Sequence, residues 1–188
     1  HYSVVDRWGN AVSVTTTINL SYGNGCVVEG AGFFLNNEMD DFSSKPGVPN
    51  AFGLIGNEAN AVGPGKRPLS SMTPTIVLKD SKPFIVIGSP GGSTIITTTM
   101  QTILNVVDHD MDIKEAVCAS RFHSQWLPDV IQYEPRSLID DLKKALEKKG
   151  HELVQRSGYI GEANGIMISE EGYFGGGDCR GETSAIGY

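Results

Sequence analysis

The feature that most narrows the possible folds is the run from Thr75 to Val107, where a β-rich hairpin passes straight into a helix through Ser89-Pro90-Gly91-Gly92-Ser93-Thr94. Residues 75–79 and 84–87 are dense in β-branched side chains and flank Asp80-Ser81-Lys82, which predicts two antiparallel strands joined by a tight turn. Beyond the glycine pair, Ile95, Ile96, Met100, Ile103, Leu104 and Val107 recur near helical period, so a helix should begin close to Gly92. A helix starting where a strand ends aims unpaired N–H groups outward, which suits an anion or a developing oxyanion. The same spacing also fits a plain tight turn before a helix.

Around this run the chain alternates short strands and helices. Residues 2–6 and 11–18 read as a hairpin closed by Arg7-Trp8-Gly9-Asn10, and a further strand is expected at 32–35. The stretch 36–68, rich in Gly, Pro and Asn, is long for a loop in a compact domain, which marks either a functional lid or a surface excursion. Asp112 with Glu115 forms a capping-box pattern, and 137–149, closed by Gly150, makes an amphipathic helix. Residues 152–155 and 165–169 are strand candidates, the second turning through Glu170-Glu171-Gly172 into Tyr173-Phe174. With no repeat and no linker, residues 1–188 read as a single α+β domain of sheets covered by helices.

Charge and composition remove several classes of function. A net charge of −7 repels phosphate backbones, and Lys143, Lys144, Lys148 and Lys149 form one solvated helix face, so no nucleic-acid partner is expected. No apolar run approaches the ~18 residues of a membrane span, and no signal-peptide pattern opens the chain. Cys26, Cys118 and Cys179 are odd in number and lack CxxC spacing, so they read as free thiols rather than a disulfide framework or zinc site. His1, His109, His123 and His151 show no zinc-hydrolase spacing, and His123 reads as a structural histidine.

Two further clusters can carry chemistry. Glu38, Asp40 and Asp41 put three carboxylates into four residues; such a cluster binds metal, binds an ammonium group or solvates a loop, and the alternating ligand pattern of a calcium loop is absent. Ser70 and Ser71, shortly after Lys66-Arg67, can hold a carboxylate or simply cap a loop. No G-x-S-x-G elbow surrounds either serine, which speaks against a serine nucleophile.

In order along the chain, HYSVVD, GNAVSVT, FLNNEMDDFS, KPGVPN, NAVGPGKRPLSSM, PTIVLK, GSPGGS, RFHSQWLPD and a terminal GY closely resemble the small subunit of γ-glutamyltransferases over essentially its whole length. The resemblance implies a four-layer αββα Ntn-hydrolase sandwich, completed by a large-subunit chain cut from the same precursor. It implies γ-glutamyl transfer from glutathione or other γ-glutamyl amides to water, or to amino-acid or dipeptide acceptors, with no cofactor and no metal. The family's nucleophile is a threonine that opens a TTHYS motif, which places it two positions before His1 and outside this chain. Its own α-amino group serves as base, so no separate triad is needed. Bacterial relatives suggest a periplasmic or extracellular location.

Carried over by position, the resemblance gives Thr17 the hydrogen bond to the nucleophile and Asn19 a contact to the substrate α-amino group. Glu38 and Asp41 match the pair that grips this ammonium, Ser70 and Ser71 the hydroxyls that hold the α-carboxylate, and Gly91 and Gly92 the oxyanion amides. An α-carboxylate arginine belongs to the large subunit. Phe52 stands in the lid where many bacterial members carry tyrosine; Thr16, Thr94, Ser120 and Cys179 also depart from the usual pattern, and these changes bear on acceptor choice and gating. Two rival readings are an Ntn-hydrolase acylase of the glutaryl or cephalosporin type, which should lack the ammonium grip, and a non-catalytic scaffold subunit.

Overall fold

The computed structural model describes residues 1–187; Tyr188, the last residue of the terminal Gly-Tyr pair, lies outside the described residues. Contacts gather the chain into two compact units, one formed by His1–Thr15 with the chain from Met72 onward, the other by Thr16–Ser71.

The first unit is α+β. Strands β1 (Tyr2–Val5) and β2 (Ala11–Val14) form a hairpin. Its turn is tied by Asp6, whose carboxylate accepts the N–H groups of Trp8 and Asn10 at 2.9 Å each. Strands β3 (Thr75–Lys79) and β4 (Lys82–Gly88) form the second predicted hairpin. The turn needs only Asp80 and Ser81, both at positive φ, so β4 begins at Lys82, two residues earlier than its β-branched content suggests. With β8 (Asn164–Ser169) and β9 (Gly172–Gly177) these strands make an antiparallel sheet in the order β3-β4-β8-β9.

Alternation along β4 assigns the two faces of this sheet. Ile85 and Ile87 lie on the face covered by α1 (Ile95–Val107) and α2 (Ile113–Cys118), where Val106, Ile113, Ala116 and Val117 complete a buried core. Gly88 faces the other way, beneath the β1–β2 ribbon, and a Cβ there would collide with the His1 imidazole. The ribbon is anchored by Ser3 and Ser13, whose hydroxyls donate to the carbonyls of Val86 and Ile87 at 3.2 and 2.9 Å. The unit is thus layered as helices, sheet and ribbon.

The capping box of α2 forms as its pattern predicts: Asp112 Oδ1 accepts from Glu115 N–H at 2.8 Å and Glu115 Oε2 from Asp112 N–H at 3.3 Å. Helix α3 (Asp140–Lys148) starts three residues later than its sequence pattern suggests, because Ser137 is held in a turn by Glu134 O. A third sheet, β5 (Phe122–His123), β6 (Ile131–Tyr133) and β7 (Leu153–Gln155), contains two strands too short for any alternation to announce them.

One expectation is overturned. Cys118, at the end of α2, and Cys179, just after β9, form a disulfide with Cα atoms 5.3 Å apart, and among the described residues only Cys26 is a free, exposed thiol. An odd count does not exclude one pair, and partners 61 residues apart escape any local spacing rule.

The second unit carries no strand ladder. The strand expected at 32–35 contributes a single bridge, Val27 to Phe34, because Gly30 before it and Gly32 at its start turn the chain at positive φ. Short 3-10 turns at Glu38–Asp41 and Glu58–Asn60 are held by asparagine side chains bonded to nearby main chain.

Candidate active site

In the first unit, the turn after β4 follows from its glycines. Gly91 adopts φ 140 and Gly92 φ 59, values that favour glycine, and a 3-10 turn (Gly92–Thr94) leads into α1. Thr94 Oγ1 donates to Gly91 O at 2.9 Å and closes the turn. The Gly91 and Gly92 N–H groups find no partner among the described residues, which leaves both available to an oxyanion.

This turn is braced from below. The buried Ser89 hydroxyl donates to Pro90 O at 2.6 Å and accepts Glu162 N–H at 2.9 Å, while Gly161 lies so close to Gly91 that a Cβ on Gly91 would come within 3.2 Å of its Cα. Residue 160, next in line, is clasped at both its backbone groups: Ile160 O accepts from Arg121 Nη1 at 2.7 Å and Ile160 N–H donates to Glu134 Oε1 at 2.7 Å. His1 and Pro90 both line one cleft of about 410 Å³.

Arg121 and Glu134 belong to a buried lattice that the sequence did not announce. Arg121 pairs with Asp178 at 2.7 Å, and Arg180 with both Glu134 at 2.6 Å and Asp178 at 2.9 Å. Two guanidinium groups meet two carboxylates, so the cluster is neutral and nearly every lone pair is used. Burial pulls Arg121 below its ordinary value despite the nearby Asp178. Burial also pushes Glu134 upward, but the Arg180 guanidinium and two backbone N–H groups overcome it and hold the carboxyl below the usual range. No local pattern announces the lattice: Arg121 lies three residues after Cys118, Asp178 and Arg180 flank Cys179, and Glu134 stands apart from both.

In the second unit the acidic cluster is brought together with Asn19. The Asn19 backbone, at φ 74, is shaped by Thr17, whose Oγ1 accepts Asn19 N–H at 2.8 Å. Asn19 Nδ2 donates to Asn37 O at 3.0 Å, which docks residue 19 against the residue just before the acidic turn. In that turn Glu38 and Asp41 are neighbours: burial first, then the hydrogen bond and charge of Asp41, raise the Glu38 pKa above its ordinary value. Glu38 Oε1 is buried without a hydrogen-bond partner. Two adjacent carboxyl groups with an unused buried oxygen favour a cation that can donate hydrogen bonds.

Ser70 is exposed and Ser71 half-buried, both directly after Leu69, whose N–H donates to Asn60 Oδ1 at 2.9 Å. Phe52 sits elsewhere in this unit, at a turn where Asn50 Oδ1 accepts the N–H groups of Phe52 and Leu54 at 3.0 Å each. His123 is buried and structural, bonded to Thr97 Oγ1 at 2.8 Å and Gln125 Oε1 at 3.0 Å. Among the described residues no helix is long and apolar enough to cross a membrane.

The family model described as Gamma-glutamyltranspeptidase matches residues 1–188. A relative in Escherichia coli (strain K12), glutathione hydrolase proenzyme, is 52% identical over 181 residues, covering 96% of this chain and 31% of its own length. A crystallised mutant of the Helicobacter pylori gamma-glutamyltranspeptidase is 56% identical with a TM-score of 0.92, covering 96% of this chain and 99% of the matched one. The Pseudomonas nitroreducens gamma-glutamyltranspeptidase complexed with L-DON is 45% identical with a TM-score of 0.93, covering 100% of this chain and 98% of the matched one. The chain spans about a third of the length of the curated relatives it matches.

Proposed function

The chain belongs to the gamma-glutamyltranspeptidase family and has the α+β fold of its Ntn-hydrolase structures, and from that premise we propose that residues 1–188 form the small, C-terminal subunit of a self-processed γ-glutamyltransferase. The reaction is acyl transfer: a threonine hydroxyl adds to the γ-carbonyl of glutathione or another γ-glutamyl amide, its α-amino group takes the proton, and the amine leaves. The resulting threonine ester is then opened by water, or by an amino acid or dipeptide. The nucleophile is the threonine that the resemblance places two positions ahead of His1. Its position there is supported by His1 and Pro90 lining the same cleft.

The observation that carries this reading is the Glu38–Asp41 pair with its buried, unpartnered Oε1, a natural seat for the substrate ammonium. Asn19 adds an amide contact at the same end, and Thr17 fixes the Asn19 backbone. Ser70 and Ser71 donate to the α-carboxylate. Gly91 and Gly92 stabilise the tetrahedral oxyanion, where one well-aimed donor is worth about 3 kcal/mol of barrier. An acylase acting on glutaryl groups has no ammonium to hold and would not need the acidic pair.

A large subunit from the same precursor supplies the remaining α-carboxylate contacts and covers exposed apolar surface such as Ile96, Met100, Leu104 and Val107, which form one stripe along α1. Export to the periplasm or outside is supported by the Cys118–Cys179 disulfide, which oxidising compartments favour. The deciding experiment expresses the full-length precursor and follows γ-glutamyl-p-nitroanilide release with and without a dipeptide acceptor. Two chains, the smaller beginning with threonine, and acceptor-stimulated release support the proposal; an uncut, inactive chain sinks it.

A further inference from the structure

We propose that Asn60 is a positioning residue that sets the spacing between the two ends of the γ-glutamyl grip, an inference that rests on the function proposed above. The residues concerned all lie in the second unit. One carboxamide makes two bonds in opposite directions: Asn60 Nδ2 donates to Asp41 O at 2.7 Å, and Asn60 Oδ1 accepts Leu69 N–H at 2.9 Å. Asp41 is the second carboxylate of the ammonium seat, and Leu69 immediately precedes the Ser70-Ser71 pair.

The carboxamide itself is well held. Asn60 ends the 3-10 turn Glu58–Asn60, its N–H donates to Asn57 O at 3.1 Å, and its own carbonyl accepts Ser43 N–H at 2.9 Å. A planar amide has no freedom to lengthen, so the two peptide groups it joins are held at a fixed separation. A substrate glutamyl group carries its ammonium and carboxylate on one carbon, so the protein groups that meet them must also keep a fixed separation. Small displacements of such groups weaken binding of both charges together. Asn60 touches no substrate in this scheme; it acts through the main chain on either side.

Only an amide can both donate and accept in this way. Asn60→Asp keeps an acceptor for Leu69 N–H but has no donor for Asp41 O, and Asn60→Ala loses both. The test uses the full-length, self-processed protein and measures hydrolysis of γ-glutamyl-p-nitroanilide together with a thermal melt. For Asn60→Ala we expect the donor KM to rise about tenfold with kcat changed less than about threefold, and for Asn60→Asp a smaller rise in the same direction.

A lowered melting temperature with unchanged KM in either folded variant overturns the inference, because it assigns Asn60 to stability alone. A fall in kcat at constant KM overturns it too. Should the alanine variant fail to fold, the near-isosteric aspartate variant decides by the same criterion. An inactive wild-type protein is a different failure, since it removes the proposed function itself and the inference with it.

Discussion

Arg180 grips Glu134 at two points, Nε to Oε1 at 2.8 Å and Nη2 to Oε2 at 2.6 Å, with both side chains almost wholly removed from water. Such a fork depends on the planar guanidinium, and lysine cannot reproduce it. Replacing Arg180 with alanine leaves the Glu134 and Asp178 carboxylates short of a buried partner, which should cost about 3–5 kcal/mol. Urea unfolding of the two proteins measures this. A midpoint within experimental scatter of wild type shows that the lattice contributes little to stability.

The same lattice predicts acid sensitivity. The net effect on Glu134 is a carboxyl below its ordinary value, since burial raises it but the Arg180 hydrogen bond and the Ile160 and Arg121 N–H groups lower it further. A folded-state value lowered relative to the unfolded chain gives stability that is full above the unfolded value and is lost as pH falls through the folded one. The Glu134 contribution to the melting temperature should therefore hold from neutrality to about pH 5 and fall away below about pH 4. In Glu134→Gln the plateau should sit lower and the acid drop should shrink; a drop as steep as in wild type assigns acid unfolding to other groups.

The Cys118–Cys179 bond closes a loop of 61 residues, which by the chain-entropy argument stabilises the fold by about 4 kcal/mol. Cys118→Ser with Cys179→Ser, or full reduction of the wild type, should lower the melting temperature by a similar amount in each case. If reduction changes the melt and the double serine variant does not, some other thiol chemistry is responsible.

How much of this was legible in the sequence depended on whether the signal was local. The β3–β4 hairpin, the start of α1 beyond Gly92 and the Asp112–Glu115 box are each written within a few residues, and each forms. The lattice was not legible, because Arg121, Glu134 and Asp178 are brought together only by folding. The disulfide escaped for the same reason. In the acidic cluster, composition marked Glu38, Asp40 and Asp41 alike and the family resemblance picked out Glu38 and Asp41, but Asn60, whose bonds run to residues 19 and 9 positions away, carries no signal of its own in a segment already crowded with asparagines.

Gly92 sits at φ 59 at the start of the 3-10 turn, so a β-branched residue there is strained whatever the surrounding space. Gly92→Val should misplace the oxyanion amides and lower kcat by about 10²–10³-fold, with the donor KM changed only a few-fold. Steady-state kinetics on γ-glutamyl-p-nitroanilide decide it. Loss confined to KM removes Gly92 from the oxyanion role.

The ammonium seat gives the prediction with the sharpest sign. Asp41→Ala removes an ion partner from the substrate ammonium and should cost about 2–5 kcal/mol in kcat/KM. Glu38 behaves differently, because burial and then the neighbouring Asp41 raise its pKa in the free protein. A raised folded-state value means that ionising Glu38 works against folding: the stability it contributes is complete at low pH and is lost as pH rises through the raised value. Glu38→Gln should therefore leave stability unchanged in acid and increase it slightly at neutral pH, while weakening donor binding where the carboxylate is charged. In the wild type, donor KM should climb as pH falls through the raised Glu38 value, and in the glutamine variant that dependence should flatten. A variant whose KM keeps the wild-type pH dependence places the titrating group elsewhere and removes Glu38 from the seat.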